Sequence, residues 1–189
     1  MRVVIIHGTS GSPRNNWLPW LSKQIESAGH RSIVPQFPTP EGQNLKNWKA
    51  TFAKEVGDLA SDMILVGHSM GVGLVLRLLE ESDQPVTGSF LVSGFTTTLG
   101  DDFFDPLVES FFRTPFDWKR IKKNAGNVFV YHGTDDPYVP TSHADTIAKE
   151  LDVKPTMIPN GSHLNEGAGF TELPQLWQDL KPLLKGKTD

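Results

Sequence analysis

The chain has no cysteine among its 189 residues. That single absence excludes thiolate catalysis, disulfide bracing and Cys-ligated zinc, and leaves the apolar core to hold the fold. Long hydrophobic runs are missing too. No stretch approaches the roughly eighteen apolar residues of a membrane span, and Val3-Val4-Ile5-Ile6 is too short for the core of a signal peptide. A cytoplasmic location with no membrane partner is therefore expected. There is also no block of one charge sign: 18 Lys and Arg stand against 22 Asp and Glu, for a formal charge of −4. Such a surface has no electrostatic reason to bind nucleic acid, so a small-molecule partner is expected, and nothing in the sequence marks a protein partner. With no internal repeat and no low-complexity linker, residues 1–189 are expected to form one domain. The phosphate-binding patterns Gly-x-x-x-x-Gly-Lys-Ser/Thr and Gly-x-Gly-x-x-Gly do not occur, nor does any His-x-x-x-His or His-Glu-x-x-His pair. No cofactor and no metal are expected.

What is present centres on Asp62–Gly73, DMILVGHSMGVG. Met63 to Val66 suit a strand buried on both faces, and Val72, Leu74, Val75, Leu76, Leu78 and Leu79 follow a helical pattern expected to keep to one side. Ser69 lies between them, flanked two residues away on either side by Gly67 and Gly71. A sharp strand-to-helix turn of this kind strains the serine backbone and leaves no room for side chains at the flanking glycines. It lifts the hydroxyl above the sheet edge and leaves the Met70 amide, at a helix N-terminus, free to stabilise an oxyanion. The other role for a serine in that place is an ordinary helix N-cap.

In chain order, residues 2–6 read as a strand ending in the glycine-rich loop His7–Pro13, where the Thr9 amide is the candidate second oxyanion donor. A helix from Trp17 to Ala28, a strand over 31–34, a helix over 45–59, the strand and elbow at Ser69, and a strand over 86–92 follow. This alternation implies right-handed crossovers and a mostly parallel sheet with helices on both faces. The segment 95–124 differs in character, holding six of the eleven phenylalanines together with Trp118. It reads either as a short aromatic lid walling a substrate pocket or as a seal for the sheet edge, with Asp117 as N-cap of a helix over 118–123.

A strand over 127–131 ends in His132-Gly133-Thr134-Asp135-Asp136-Pro137-Tyr138-Val139-Pro140. A carboxylate on such a loop can hold a histidine Nδ1–H and fix its tautomer. The Gly-x-x-Asp-x-x-Val-Pro arrangement centred on Asp136 resembles the acid loop of α/β-hydrolases, which favours Asp136 and leaves Asp135 to the turn or to helping the loop's hydrogen bonding. After a helix over 142–151 and a strand over 153–158, His163 follows on the loop before a last helix over 173–184. It is the one histidine on a late strand's carboxyl-end loop that follows both the serine elbow and the aspartate loop. His68 is expected to shape the elbow or pack beneath it, His7 and His132 to hydrogen-bond loops, His30 to lie at the far end of the sheet, and His143 to be solvated or to cap its helix.

With these residues in hand, the chain resembles the α/β-hydrolase superfamily, and within it the small YdeN-like serine hydrolases of the retinoblastoma-binding protein 9 family. The resemblance rests on IIHGTSGSPRNNWLPWL, VGHSMG, LVSGF with TPFDWKRIK, HGTDDPYVP and NGSH, and covers nearly the whole length. It implies Ser69 as nucleophile, Asp136 as acid, His163 as base, and a minimal hydrolase fold without a full cap domain. The expected fold is a three-layer α/β/α sandwich on a six-stranded, mainly parallel sheet of order 2-1-3-4-5-6, with the site where the order reverses. The expected activity is cleavage of a small ester or related acyl substrate through an acyl-enzyme. Acyl transfer to an acceptor other than water, and a protein-binding module with a vestigial site, are the alternatives. Trp17, Trp20 and Phe95 are candidate pocket residues.

Overall fold

The computed structural model describes residues 1–185, so the last four positions of the expected domain lie outside the described residues. Six strands, β1 (Arg2–Ile6), β2 (Arg31–Ile33), β3 (Met63–His68), β4 (Gly88–Val92), β5 (Asn127–Gly133) and β6 (Thr156–Ile158), form one sheet of order β2-β1-β3-β4-β5-β6. Every pairing is parallel, which sharpens the expected mainly parallel sheet to a wholly parallel one. The crossovers carry the helices α1 (Leu18–Ser27), α2 (Leu45–Glu55), α3 (Met70–Glu81), α4 (Asp105–Phe112), α5 (Trp118–Asn124) and α6 (Ser142–Leu151), with α7 (Pro174–Leu180) after β6.

Two apolar layers follow from the two-residue period of the strands. On one face Val3, Ile5, Ile64, Val66, Phe90 and Tyr131 pack against α1 and α7. On the other Val4, Ile6, Leu65, Leu91 and Val130 meet α2 to α6. The helix after the elbow differs from its expected one-sided pattern: Met70 to Leu76 are all buried, because α3 lies beneath a second layer made by α2, α4 and α5.

The segment 95–124 both seals and walls. Phe111 and Phe116 are buried in the core, and α4, which the aromatic run concealed from sequence reading, is anchored from α3 by Arg77. That guanidinium is buried, donates to the Phe111 and Thr114 carbonyls and to Glu80, and lies 3.9 Å over the Phe116 ring. Among the described residues no helix is long and apolar enough to cross a membrane.

Candidate active site

Strand β3 delivers Ser69 at the carboxyl edge of the sheet, beside the reversal in strand order between β1 and β3. Its backbone sits at φ 56° and ψ −122°, and its side chain makes no capping hydrogen bond, so it is not an ordinary N-cap. The turn is held by the Ser69 amide donating to the Val92 carbonyl at 2.8 Å. A Cβ at Gly67 would lie 2.8 Å from the Gly71 carbonyl carbon, and one at Gly71 would overlap the Ile6 carbonyl oxygen. Both glycines are thus required by close backbone approach. Gly8 serves the neighbouring loop in the same way, since a Cβ there would stand 2.8 Å from Ser69 Cβ.

The loop after β1 is fixed from the α2 side. The buried Gln43 donates to Thr9 Oγ1 at 2.9 Å and accepts from Thr39 Oγ1, which in turn accepts from the Ser10 amide. Among the described residues, neither the Thr9 nor the Met70 amide donates to a protein acceptor. Both remain free at the mouth where Ser69 stands. His7 lies under this loop, with Nδ1–H donating to the Gly8 carbonyl at 2.8 Å and Nε2 accepting from the Phe37 amide at 3.0 Å. Burial holds its pKa below the ordinary value, consistent with the neutral form those contacts need.

Asp136 and His163 meet across the loops that follow β5 and β6. His163 Nδ1–H donates to Asp136 Oδ2 at 2.8 Å, and Asp136 Oδ1 accepts from the Tyr138 and Val139 amides. The carboxylate side chain is fully buried. Burial acts to raise its pKa, but the His163 hydrogen bond and charge, with the two amides, outweigh it and keep Asp136 ionised. Asp135 turns the other way and accepts from the Ser162 amide at 2.8 Å, tying the two loops together. They approach so closely that a Cβ at Gly133 would lie 2.7 Å from the Ser162 nitrogen.

The remaining histidines do different work. His68 donates from Nε2 to the His163 carbonyl at 3.0 Å and packs its ring on Trp17. Burial first, and the adjacent His163 charge next, push its pKa down to about 3, so it stays neutral. His132 donates to the Val139 carbonyl at 2.9 Å and stands 3.6 Å from Asp136 Oδ2. His143 departs from the expected solvated or capping role: it is half-buried beside Phe95, with Nδ1 facing the Thr96 amide at 3.4 Å.

Ser69 and His163 line the same cavity of about 200 Å³, together with Thr9, Asn165 and an apolar wall of Phe95, Leu99, Phe104, Val108, Tyr138 and Val139. Ser69 Oγ has no hydrogen-bond partner within 3.5 Å among the described residues, so the serine–imidazole contact is the link still open. Such contacts commonly tighten only when substrate is bound. Two of the three expected pocket residues are not there. Trp17 is wholly buried, its Nε1–H donating to the Leu164 carbonyl at 2.9 Å, and Trp20 is half-buried against the same α1 cluster. Both lie under the sheet's other face, where helix α1 carries them. Only Phe95 reaches the cavity. Asn165 carried no sequence signal, whereas Tyr138 stood inside the acid loop and its place two residues after Asp136 marked it as a neighbour of the site. Among the described residues no group of three His, Asp or Glu is placed to hold a metal ion.

Comparison with known proteins agrees with this architecture. The YdeN protein of Bacillus subtilis is 31% identical over 99% of this chain and 98% of its own length. Its crystal structure superposes with a TM-score of 0.89, covering 97% of this chain and 98% of that one. Serine hydrolase RBBP9 of Rattus norvegicus is 26% identical over 97% of this chain and 95% of its own. A family profile described as serine hydrolase matches residues 3–182. The chain therefore belongs to the serine hydrolase family and is a hydrolase with the α/β-hydrolase fold.

Proposed function

We propose that the protein cleaves a small ester or related acyl substrate through a Ser69–His163–Asp136 triad and an acyl-enzyme. The observation that carries the reading is the buried Asp136 holding His163 Nδ1–H at 2.8 Å while His163 and the strained Ser69 line one cavity. In that arrangement Nε2 of His163 accepts the Ser69 proton as Oγ attacks the acyl carbonyl, and the Thr9 and Met70 amides receive the oxyanion. The imidazolium then protonates the departing alcohol oxygen. A water molecule, deprotonated by His163, attacks the acyl carbonyl, and as the bond to Ser69 Oγ breaks the imidazolium returns the proton to Oγ and the acid is released. Asp136 remains ionised and stabilises the imidazolium throughout. The apolar wall from Phe95 to Val139 receives the acyl chain, as hydrophobic pockets with few polar groups do.

The test is hydrolysis of p-nitrophenyl esters from acetate to octanoate, with Ser69→Ala and His163→Ala beside wild type. Each substitution is expected to lower turnover by about 10⁶-fold without unfolding the protein. Folded wild type that neither hydrolyses the series nor labels with a fluorophosphonate would overturn the reading and favour a binding module on the same fold.

A further inference from the structure

A second cleft, lined by polar residues and glycines, borders Ser69 next to the apolar cavity. It has a volume of about 340 Å³, and Thr9, Ser69, His163 and Asn165 border both spaces. Its far wall is built from Ser10, Asn15, Asn16 and Glu166. Two loops some 150 residues apart in sequence make this wall. Asn15 Nδ2 donates to Glu166 Oε1 at 3.0 Å, the Asn16 amide donates to Oε2 at 3.1 Å, and the Glu166 amide donates to Asn16 Oδ1 at 3.0 Å.

We infer that this cleft holds the departing alcohol and selects a neutral, hydroxyl-rich one, so that the substrate is an apolar acyl group esterified to a polyol. The inference rests on the hydrolase reading above and adds to it which half of the substrate lies where.

Three features argue for it. The scissile bond must sit at Ser69 between the Thr9 and Met70 amides, so the two halves of an ester leave Ser69 in different directions. One direction is apolar and the other polar. Next, the cleft keeps hydrogen-bonding capacity of both kinds. Asn165 Oδ1 accepts from the Ala168 amide and Asn16 Oδ1 from the Glu166 amide, so in both side chains the oxygen is engaged and the NH₂ group is left to donate. Neither NH₂ group, nor the Ser10 hydroxyl, has a protein acceptor among the described residues, while each Glu166 oxygen has a lone pair left. Hydroxyl groups donate and accept, so a polyol satisfies such a mixed wall. Finally, the charge balance excludes ionic leaving groups. No lysine or arginine lines the cleft, which disfavours a phosphate. Glu166 is exposed, where an ion pair with a cation is worth little.

The experiment compares four butyrate esters, those of ethanol, glycerol, choline and glycerol 3-phosphate, with p-nitrophenyl butyrate as the control for basic activity. The glyceryl ester is expected to exceed the ethyl ester in kcat/KM by about three- to tenfold, the yield of one net hydrogen bond. The glycerol phosphate ester is expected to fall below ethyl. Ser10→Gly, which also relieves a φ of 55°, and Glu166→Gln are each expected to bring the glyceryl-to-ethyl ratio toward one. If Glu166→Gln lowers p-nitrophenyl turnover as well, its loop has moved and Ser10→Gly carries the decision. Equal rates on ethyl and glyceryl esters, or a preference for the choline or phosphate ester, overturn the inference. If p-nitrophenyl butyrate is still hydrolysed with Ser69 required, the hydrolase reading survives that result. Inactivity on every ester overturns both.

Discussion

Ser162 and Leu164 flank His163 with φ values of 46° and 48°, so the imidazole is carried on backbone that ordinary side chains avoid. Three contacts hold that segment in place: Asp135 on the Ser162 amide, His68 on the His163 carbonyl, and Trp17 on the Leu164 carbonyl. Trp17, assigned to the pocket from sequence, thus acts from the other side of the sheet by bracing the histidine loop. Trp17→Phe keeps most of the packing but leaves a buried carbonyl unpaired. It is expected to destabilise the fold by about 1–3 kcal/mol and to lower kcat more than it raises KM, as steady-state kinetics and urea unfolding would register. Asp136→Asn keeps the shape but withdraws the charge that would stabilise the imidazolium in the proposed triad, and is expected to lower kcat about 10⁴-fold at neutral pH. A loss of less than tenfold would mean that another group orients His163.

At the scale of elements, α3 joins the elbow to the aromatic segment. Its first residue supplies the free Met70 amide, and just past its middle Arg77 holds the α4–α5 connection through two carbonyls, Glu80 and the Phe116 ring. Arg77→Met fills similar space yet strands the Phe111 and Thr114 carbonyls, so a stability loss of about 2–4 kcal/mol is expected, with Lys a poor replacement for a forked donor. Because α4 carries Val108 to the cavity wall, the same substitution is expected to broaden the acyl-chain preference in an ester series. Gly71→Ala tests the other end of the element. Its methyl would press on the Ile6 carbonyl, forcing β1 and α3 apart, and a lowered Tm with lost hydrolase activity is the expected result. Wild-type stability in that variant would show that the elbow tolerates the shift.

At the scale of the molecule, buried histidines set how stability responds to acid. The pKa of His68 falls from an ordinary 6.5 to about 3 on folding, so between those values the unfolded chain binds the extra proton. Stability is therefore full above pH 6.5 and declines as pH falls toward 3, by up to roughly 1.4 kcal/mol per pH unit from this group. His7, also depressed by burial, acts in the same sense, and Asp136 adds to the loss below its ordinary 3.8. Urea unfolding at pH 7.5 and 5 should show the decline, and His68→Gln should flatten it. An unchanged slope in that variant would place the titration elsewhere.

The sequence by itself determined the layers and the loops that carry Ser69, Asp136 and His163, because each rests on local pattern, while the strand order came from the family resemblance. Apolar runs and helical periods mark the elements, right-handed crossovers limit their order, and loops at strand carboxyl ends carry motifs whose spacing is set by backbone geometry. Helix α4 stayed hidden because its aromatics, Phe111 and Phe112, are adjacent and both pack on the core, while Val108 goes to the cavity, which blurs a one-sided period. That Trp17 and Trp20 lie away from the cavity was likewise not legible, because no local spacing says over which face of the sheet α1 packs. Only tertiary structure decided those matters, along with the pairing of Glu166 with Asn15 and Asn16 and the separation of an apolar from a polar space at Ser69. Those features arise from contacts between residues far apart in the chain, and no local spacing encodes which distant side chains will meet.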